Sequence, residues 1–298
     1  MNIKNNLFNP VPIFDSQKEW YSNKETYKGK KQPTITQRNY ILPMQLIADK
    51  EVKQAISDKE FKIYLNIADA GGFLTKEELE INTDINLQYS EPSDTLLSKG
   101  EVSLYIGGNY MLQKNVQVGT YYLTFKVGKK IWYSDLFTMI DNTDRVLHIR
   151  YRNTQAIEGK DVYMPFAIGK DNTYMDLYLD TTLMMPEFHF ESEETMTDGC
   201  KRISKRVSYK TLQAKIYCTE YMAEALRMLW HSDRIMAKYN GIKYSVDDVD
   251  MSVAWDVDNH FCTVQLKLSV DNIIQTNANS VYVASGDFDN DFNIDFMQ

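Results

Sequence analysis

The residues able to do chemistry are few and scattered. The four histidines, His148, His189, His231 and His260, stand in no HxH or HExxH spacing, so each reads as a surface or satisfied core group rather than a metal ligand. No GxSxG, GxxxxGK[ST] or GxGxxG motif occurs, which removes the common nucleophile elbow and the common phosphate cradles. Cys200, Cys218 and Cys262 are odd in number and lack CxxC spacing, which points to reduced, mostly buried thiols instead of a disulfide framework or a zinc site. Glu193 and Glu194 are adjacent, so on a strand they point to opposite faces and cannot act as paired glycosidase acids.

Two charge patterns remain. Asp287, Asp289, Asp291, Asn293 and Asp295 alternate like the start of a calcium loop. That loop requires Gly at its sixth position and Glu at its twelfth, where this chain has Phe292 and Gln298. An acidic strand edge accounts for the pattern better, because charge discourages indiscriminate edge pairing. The second pattern is Lys201, Arg202, Lys205, Arg206 and Lys210, which follow the acidic stretch 191–198. Its ordinary reading is a solvated loop; an intersubunit charge contact and a nucleic-acid contact are the functional alternatives. No catalytic, cofactor-binding or metal-binding residue, and no cofactor, is expected from these observations.

The elements that would position such groups are mainly strands. Residues 61–67 alternate, with Phe61, Ile63, Leu65 and Ile67 on one face and Lys62, Tyr64 and Asn66 on the other. Residues 40–47 read as a strand that Pro43 consigns to a sheet edge. Residues 101–106 form another short strand. The stretch 77–85 is acidic and ambiguous. Residues 119–127 and 131–140, joined through Gly128-Lys129-Lys130, read as a hairpin with aromatic cross-strand pairs. In the second half the runs 146–151, 175–180, 206–210, 213–218, 252–257 and 260–270 carry strand patterns, while 188–193 leads into an acidic loop ending at Asp198-Gly199. Asn240-Gly241 between two apolar runs supplies the positive φ angles of a type I′ hairpin. One helix is predicted over about 219–231: Thr219 caps it, and Tyr221, Met222, Ala225, Leu226, Leu229 and Trp230 recur at three- and four-residue spacings to pack on a sheet.

The organisation expected is therefore mainly β: two antiparallel β-sandwich-like domains, 40–144 and 145–275, with one prominent α-helix in the second. An extended N-terminal arm (1–39) and an acidic C-terminal arm (276–298) flank them. Neither arm has the composition to fold alone. Their aromatic and apolar side chains, Phe8, Phe14, Trp20 and Tyr21 at one end and Phe288, Phe292, Ile294 and Phe296 at the other, are the candidate interaction residues. They call for a surface to cover, on the same chain or on a neighbour.

Composition narrows the function further. The 298 residues include 43% hydrophobic and 25% charged side chains, a folded, soluble profile. Lys+Arg 33 against Asp+Glu 41 leaves a net charge of −8, which disfavours general nucleic-acid binding. The start MNIKNNLFNPVPIF has no apolar h-region, so no signal peptide is expected, and no apolar run approaches the ~20 residues of a transmembrane helix. Tyr is abundant at 20 residues, and Tyr suits strands and contact surfaces.

Several runs carry a resemblance. They are Leu177-Tyr178-Leu179-Asp180-Thr181, Pro186-Glu187-Phe188, Asp198-Gly199, Glu220-Tyr221-Met222-Ala223-Glu224-Ala225-Leu226-Arg227, Ser232-Asp233 and Trp255. In the first half Gly119-Thr120-Tyr121-Tyr122-Leu123 and Ile131-Trp132-Tyr133-Ser134-Asp135-Leu136-Phe137 belong with them. Over about residues 40–270 the chain resembles a recurrent tail or baseplate structural protein of Bacteroidota bacteriophages and prophages, including crAss-like phages. The resemblance implies a virion subunit, folded in the host cytoplasm, in a symmetric ring. Its implied partners are copies of itself and other tail or portal-proximal proteins, with no membrane and no specific nucleic acid. The shared motifs are structural, so no catalytic residue is implied, and both arms lie outside the match. Extended arms that add strands to a neighbour's sheet would suit such a ring. Two rival functions are a carbohydrate- or receptor-binding module, with Trp132 or Trp20 stacking on sugars, and a hydrolase with a cleft between the domains.

Overall fold

Alternating side chains and sparse helix signals produce a mainly β chain. The computed structural model describes residues 1–5, 9–16, 18, 34–42, 44–68, 74–81, 88–90, 102–106, 112, 116–143, 146–152, 157–159, 162–164, 175–181, 183, 186–197, 200–256 and 261–277. Its strands are β1 (Ile3–Asn5), β2 (Ile13–Phe14), β3 (Thr34–Gln37), β4 (Met44–Ala48), β5 (Phe61–Ala68), β6 (Leu74–Ile81), β7 (Gln88–Ser90), β8 (Val102–Ile106), β9 (Gly119–Val127) and β10 (Lys130–Ser134). There follow β11 (Phe137–Ile140), β12 (Leu147–Arg152), β13 (Ile157–Gly159), β14 (Val162–Met164), β15 (Met175–Leu179), β16 (Glu187–Thr197), β17 (Cys200–Thr219), β18 (Arg234–Tyr239), β19 (Ile242–Trp255) and β20 (Phe261–Asn277). The α-helices among the described residues are Lys50–Ser57 and Glu220–Arg227, the second continued by a 3₁₀ turn at Met228–His231.

The first half is a sandwich. One layer is the four-stranded sheet β1-β4-β8-β7; the other is formed by β5, β9, β10 and β11 of a 14-stranded sheet. Met44, Leu46 and Ala48 of β4 meet Ile63, Leu65, Leu123, Phe125, Trp132 and Phe137 in one core, with Val52 and Ala55 of the first helix set beside them. Asp49 starts that helix by accepting hydrogen bonds from the N–H groups of Glu51 and Val52. The strand expected at a sheet edge because of Pro43 is instead flanked by β1 and β8. The described strand begins at Met44, and Pro43 lies outside the described residues.

The expected 119–140 hairpin is present but its second strand is broken. Gly128, with φ of +57°, makes the two-residue turn from Val127 to Lys130, and Trp132 stands opposite Phe125. After Ser134 the chain steps away and rejoins the same edge of β9 as β11. The Leu123 N–H facing the step donates to Ser134 Oγ at 2.8 Å, and that hydroxyl donates to the Asp135 carbonyl at 2.9 Å. The step therefore leaves no orphan there.

The second half is a long antiparallel run of strands in the order β17-β20-β19-β18-β12-β15. Its inner face carries Leu147, Ile149, Leu177, Leu212, Ala214, Ile216, Val264, Leu266 and Leu268, with Met222, Ala223 and Leu226 of the second helix packed on them. The sheet rolls towards closure. Beyond β15, Thr181 Oγ1 donates to the Lys215 carbonyl at 2.7 Å and Leu183 forms a bridge to Ala214 of β17. The helix starts as its pattern predicts, with the Met222 N–H donating to Thr219 Oγ1 at 3.3 Å, and buries Met222, Ala225 and Leu226. Asn240 (φ +48°) and Gly241 (φ +78°) make the anticipated tight turn between Tyr239 and Ile242.

β3 welds the halves together. Its Ile35 stands opposite Tyr178 of β15 on one side and opposite Thr138 of β11 on the other, the latter in a parallel pairing. Within residues 1–39, β1, β2 and β3 are thus strands of the chain's own sheets, and Thr34, Ile35 and Thr36 are buried. Asn9 acts as a ladder rung in side-chain form: its Nδ2 donates to the Gln45 carbonyl at 2.8 Å and its Oδ1 accepts the Gln45 N–H at 2.6 Å.

Candidate functional site

Among the described residues, Phe188, Phe190, Met196 and Ile203 are exposed large apolar side chains that all lie on the hairpin of β16 and β17. β17 runs for 20 residues, and only its C-terminal half, from Leu212 onward, contributes to the second core. Its N-terminal half pairs with β16 on one side and with the end of β20 on the other, and runs past the end of that core. Where sequence reading placed an acidic loop, the structure has strand up to Thr197. Val207, Tyr209 and the other β17 residues supply the partner ladder that local pattern cannot reveal.

The register divides the hairpin into two unlike faces. On one, Glu187, His189, Glu191 and Glu193 stand opposite Thr211, Tyr209, Val207 and Lys205. This face satisfies itself. The Tyr209 hydroxyl donates to Glu191 at 3.2 Å, Lys205 pairs with Glu193 at 3.4 Å, Gln213 donates to Glu187 at 2.6 Å, and the His189 and Tyr209 rings stack at 4.8 Å. A bulge at Glu193/Glu194 leaves Ser204 as the extra residue, and its hydroxyl donates to the Glu193 carbonyl at 3.1 Å.

The other face continues the side of β17 that buries Leu212 and Ala214 lower down. It carries Phe188, Phe190 and Ser192 opposite Lys210, Ser208 and Arg206, and Glu194 opposite Ile203 beyond the bulge. Phe188 is 59% exposed, Phe190 80% and Ile203 39%. Met196 on the same strand is 68% exposed. A recess of about 360 Å³ lies among Phe190, Ser192, Ile203, Arg206 and Val207. The acids are mostly on the self-paired face, so Arg206 and Lys210 give the apolar face a positive cast. Large exposed aromatics side by side on a sheet face are uncommon on an isolated surface.

A second cluster lies on the outer face of the sheet, near the weld between the halves. Asp176 of β15 is buried and accepts from His148 Nε2 at 2.6 Å and from Arg150 Nε at 2.7 Å, with Arg150 Nη2 at 3.3 Å. The His148 ring stacks on Tyr178 at 4.4 Å, and the Tyr178 hydroxyl donates to Gln37 of β3 at 3.2 Å. The chain thus ties β12, β15 and β3 together through one carboxylate and two rings. Among the described residues no hydroxyl or thiol is hydrogen-bonded to the second ring nitrogen of His148, so the His–Asp pair lacks the third member of a nucleophilic triad. Nor do the described residues contain a group of three His, Cys, Asp or Glu side chains arranged for a metal ion.

The candidate arm residues fare differently from one another. Phe14 is half-buried in β2, pairs with Tyr133 and packs with Leu136 against Tyr122, so its ring is used within this chain. Phe8, Trp20, Tyr21, Phe288, Phe292, Ile294 and Phe296 lie outside the described residues, as do His260 and the alternating aspartates. Trp132 is fully buried in the first core and cannot stack on a sugar, because its strand faces the four-stranded layer. Among the described residues the exposed large aromatics are Tyr217, Trp230 and Trp255, besides the two phenylalanines of the hairpin.

No known protein family, curated protein or solved structure matches the chain. Among the described residues no helix is long and apolar enough to cross a membrane.

Proposed function

We propose that the protein is a structural subunit of a bacteriophage virion, set in the tail or baseplate as a symmetric ring. Its partners are copies of itself and adjoining tail or portal-proximal proteins. The observation that supports this reading is the uncovered hairpin face with Phe188 and Phe190, on a strand that is also one of the outer strands of the large sheet among the described residues. The resemblance of residues 40–270 to tail proteins points the same way.

Magnitudes favour a closed ring over a simple pair. Covering an exposed Phe contributes roughly 1.5–3 kcal/mol, so two give roughly 3–6 kcal/mol. Association costs an estimated 4–15 kcal/mol, so the hairpin face alone does not hold two copies firmly. In a ring every copy gains two such contacts, and the last one closes intramolecularly. Residues 281–298, and those of residues 1–39 that do not pair within this chain's own sheets, are proposed to add contacts to adjacent subunits.

Size-exclusion chromatography with light scattering tests the reading, alongside electron microscopy of the native particle. The expected result is a discrete multimer for the full chain that falls to monomer with Phe188→Asp/Phe190→Asp. A wild-type chain that stays monomeric at high concentration and cannot be located in a virion would overturn it. The exposed Trp230 and Trp255 favour one alternative, a carbohydrate- or receptor-binding tail module. Glycan-array binding lost on replacing either Trp would select it.

A further inference from the structure

We propose that Cys218 and Cys262 form an oxidation site that closes to an intramolecular disulfide between β17 and β20. The register places the two residues directly opposite each other, and the sulfurs are 3.8 Å apart. Directly opposed antiparallel residues have Cα atoms about 4.5 or about 5.5 Å apart. Both spacings fall inside the roughly 4.4–6.8 Å that a disulfide spans, so bond formation needs side-chain rotation and no movement of the strands. Cys200 differs: it stands opposite Thr197 at the far end of β17.

Position and chemistry suit an oxidant. Both thiols are buried, but they lie one rung from the end of the β17–β20 ladder, which finishes at Thr219 opposite Phe261. Sheet ends open more readily than sheet centres, and that opening admits a small peroxide. The two groups are unlike. A hydrogen bond from the Cys218 thiol holds Cys262 below the usual thiol range, against the opposing effects of burial and of Glu220. Its hydrogen bond to Cys262, and then burial, push Cys218 up. Cys262 is therefore the sulfur that reacts first.

Hydrogen peroxide is the oxidant. The Cys262 thiolate attacks one peroxide oxygen, the O–O bond breaks, hydroxide leaves and Cys262 becomes a sulfenic acid. Cys218 loses its proton as its sulfur attacks Cys262. The S–O bond breaks, the S–S bond forms and the oxygen departs as water. The two thiols lose two electrons in all and the peroxide is reduced to two waters. The product joins β17 to β20 beside the N-cap of the second helix, Thr219.

The test uses the full chain treated with hydrogen peroxide, quenched, denatured, alkylated and mapped by mass spectrometry. The expected result is loss of alkylation at both Cys218 and Cys262, with a dithiothreitol-reversible peptide joining them, and a higher melting temperature. In Cys218→Ser, dimedone should label Cys262; in Cys262→Ser, Cys218 should stay unlabelled. Cys200→Ser should leave the cross-link intact. Complete alkylation of both thiols after oxidation, or a cross-link running through Cys200, overturns the proposal.

Discussion

Asp176 shows how one side chain serves several strands. Its carboxylate is taken out of water and is held by an imidazole and a guanidinium on β12. A buried charge of this kind contributes little over an apolar substitute, but removing one partner exposes the whole desolvation cost. Asp176→Asn should destabilise the chain by about 3 kcal/mol in a urea titration, and a double-mutant cycle with Arg150→Met should show strong coupling. Tyr151 lies on the opposite, core-facing side of β12, and its phenol has no hydrogen-bond partner among the described residues. Burial first, then the Asp176 carboxylate, push the Tyr151 and Tyr178 phenols above their ordinary value of 10.0. Their folded form thus prefers the proton. The associated stability is complete below the unfolded phenol range and is lost as pH rises past it. Melting temperatures should hold near pH 8 and fall above about pH 10. Tyr151→Phe should soften that fall at a neutral-pH change of no more than about 1 kcal/mol.

At the scale of elements, the break between β10 and β11 matters most. It lets one edge of β9 serve two short strands, and β11 in turn carries β3 and so the second half. Ser134 makes the break tolerable by satisfying the Leu123 N–H. Ser134→Ala should cost about 1–3 kcal/mol, because a buried amide loses its acceptor. Hydrogen exchange at Leu123 should rise with it. The same variant should leave the Tyr239–Ile242 turn unaffected, since Asn240 and Gly241 make that turn locally.

At the scale of the molecule, two cores share one continuous sheet, and the β16–β17 hairpin, flanked by the end of β20, extends past them. The phenylalanines at positions 188 and 190 contribute little to the fold of a single copy because they face solvent. Phe188→Asp/Phe190→Asp should therefore leave the melting temperature of the monomer nearly unchanged while abolishing self-association. Loss of folding in that variant would instead assign the two rings to the core. Deleting residues 281–298 should weaken particle assembly without unfolding the described sheets.

The mainly β character, the Asn240-Gly241 turn and the capped helix at Thr219 were legible from the residues alone, because each depends on neighbours within a few positions. Alternation in β5 and β12 likewise declared its core face before any partner was known. Other features were decided only by pairing at long range. Thr34–Gln37, in a segment whose composition predicts an arm, is the strand that joins the halves, since a short polar run acquires its burial from β11 and β15. The run 188–193 reads as leading into an acidic loop that ends at Asp198-Gly199. Only the length of β17 beyond the core shows that its apolar side is left bare. Cys218 and Cys262, 44 residues apart, meet because the β17–β20 register sets them on one rung. Local sequence carries the periodicity of a strand; which strand lies beside it, and what remains uncovered, comes from the sheet as a whole.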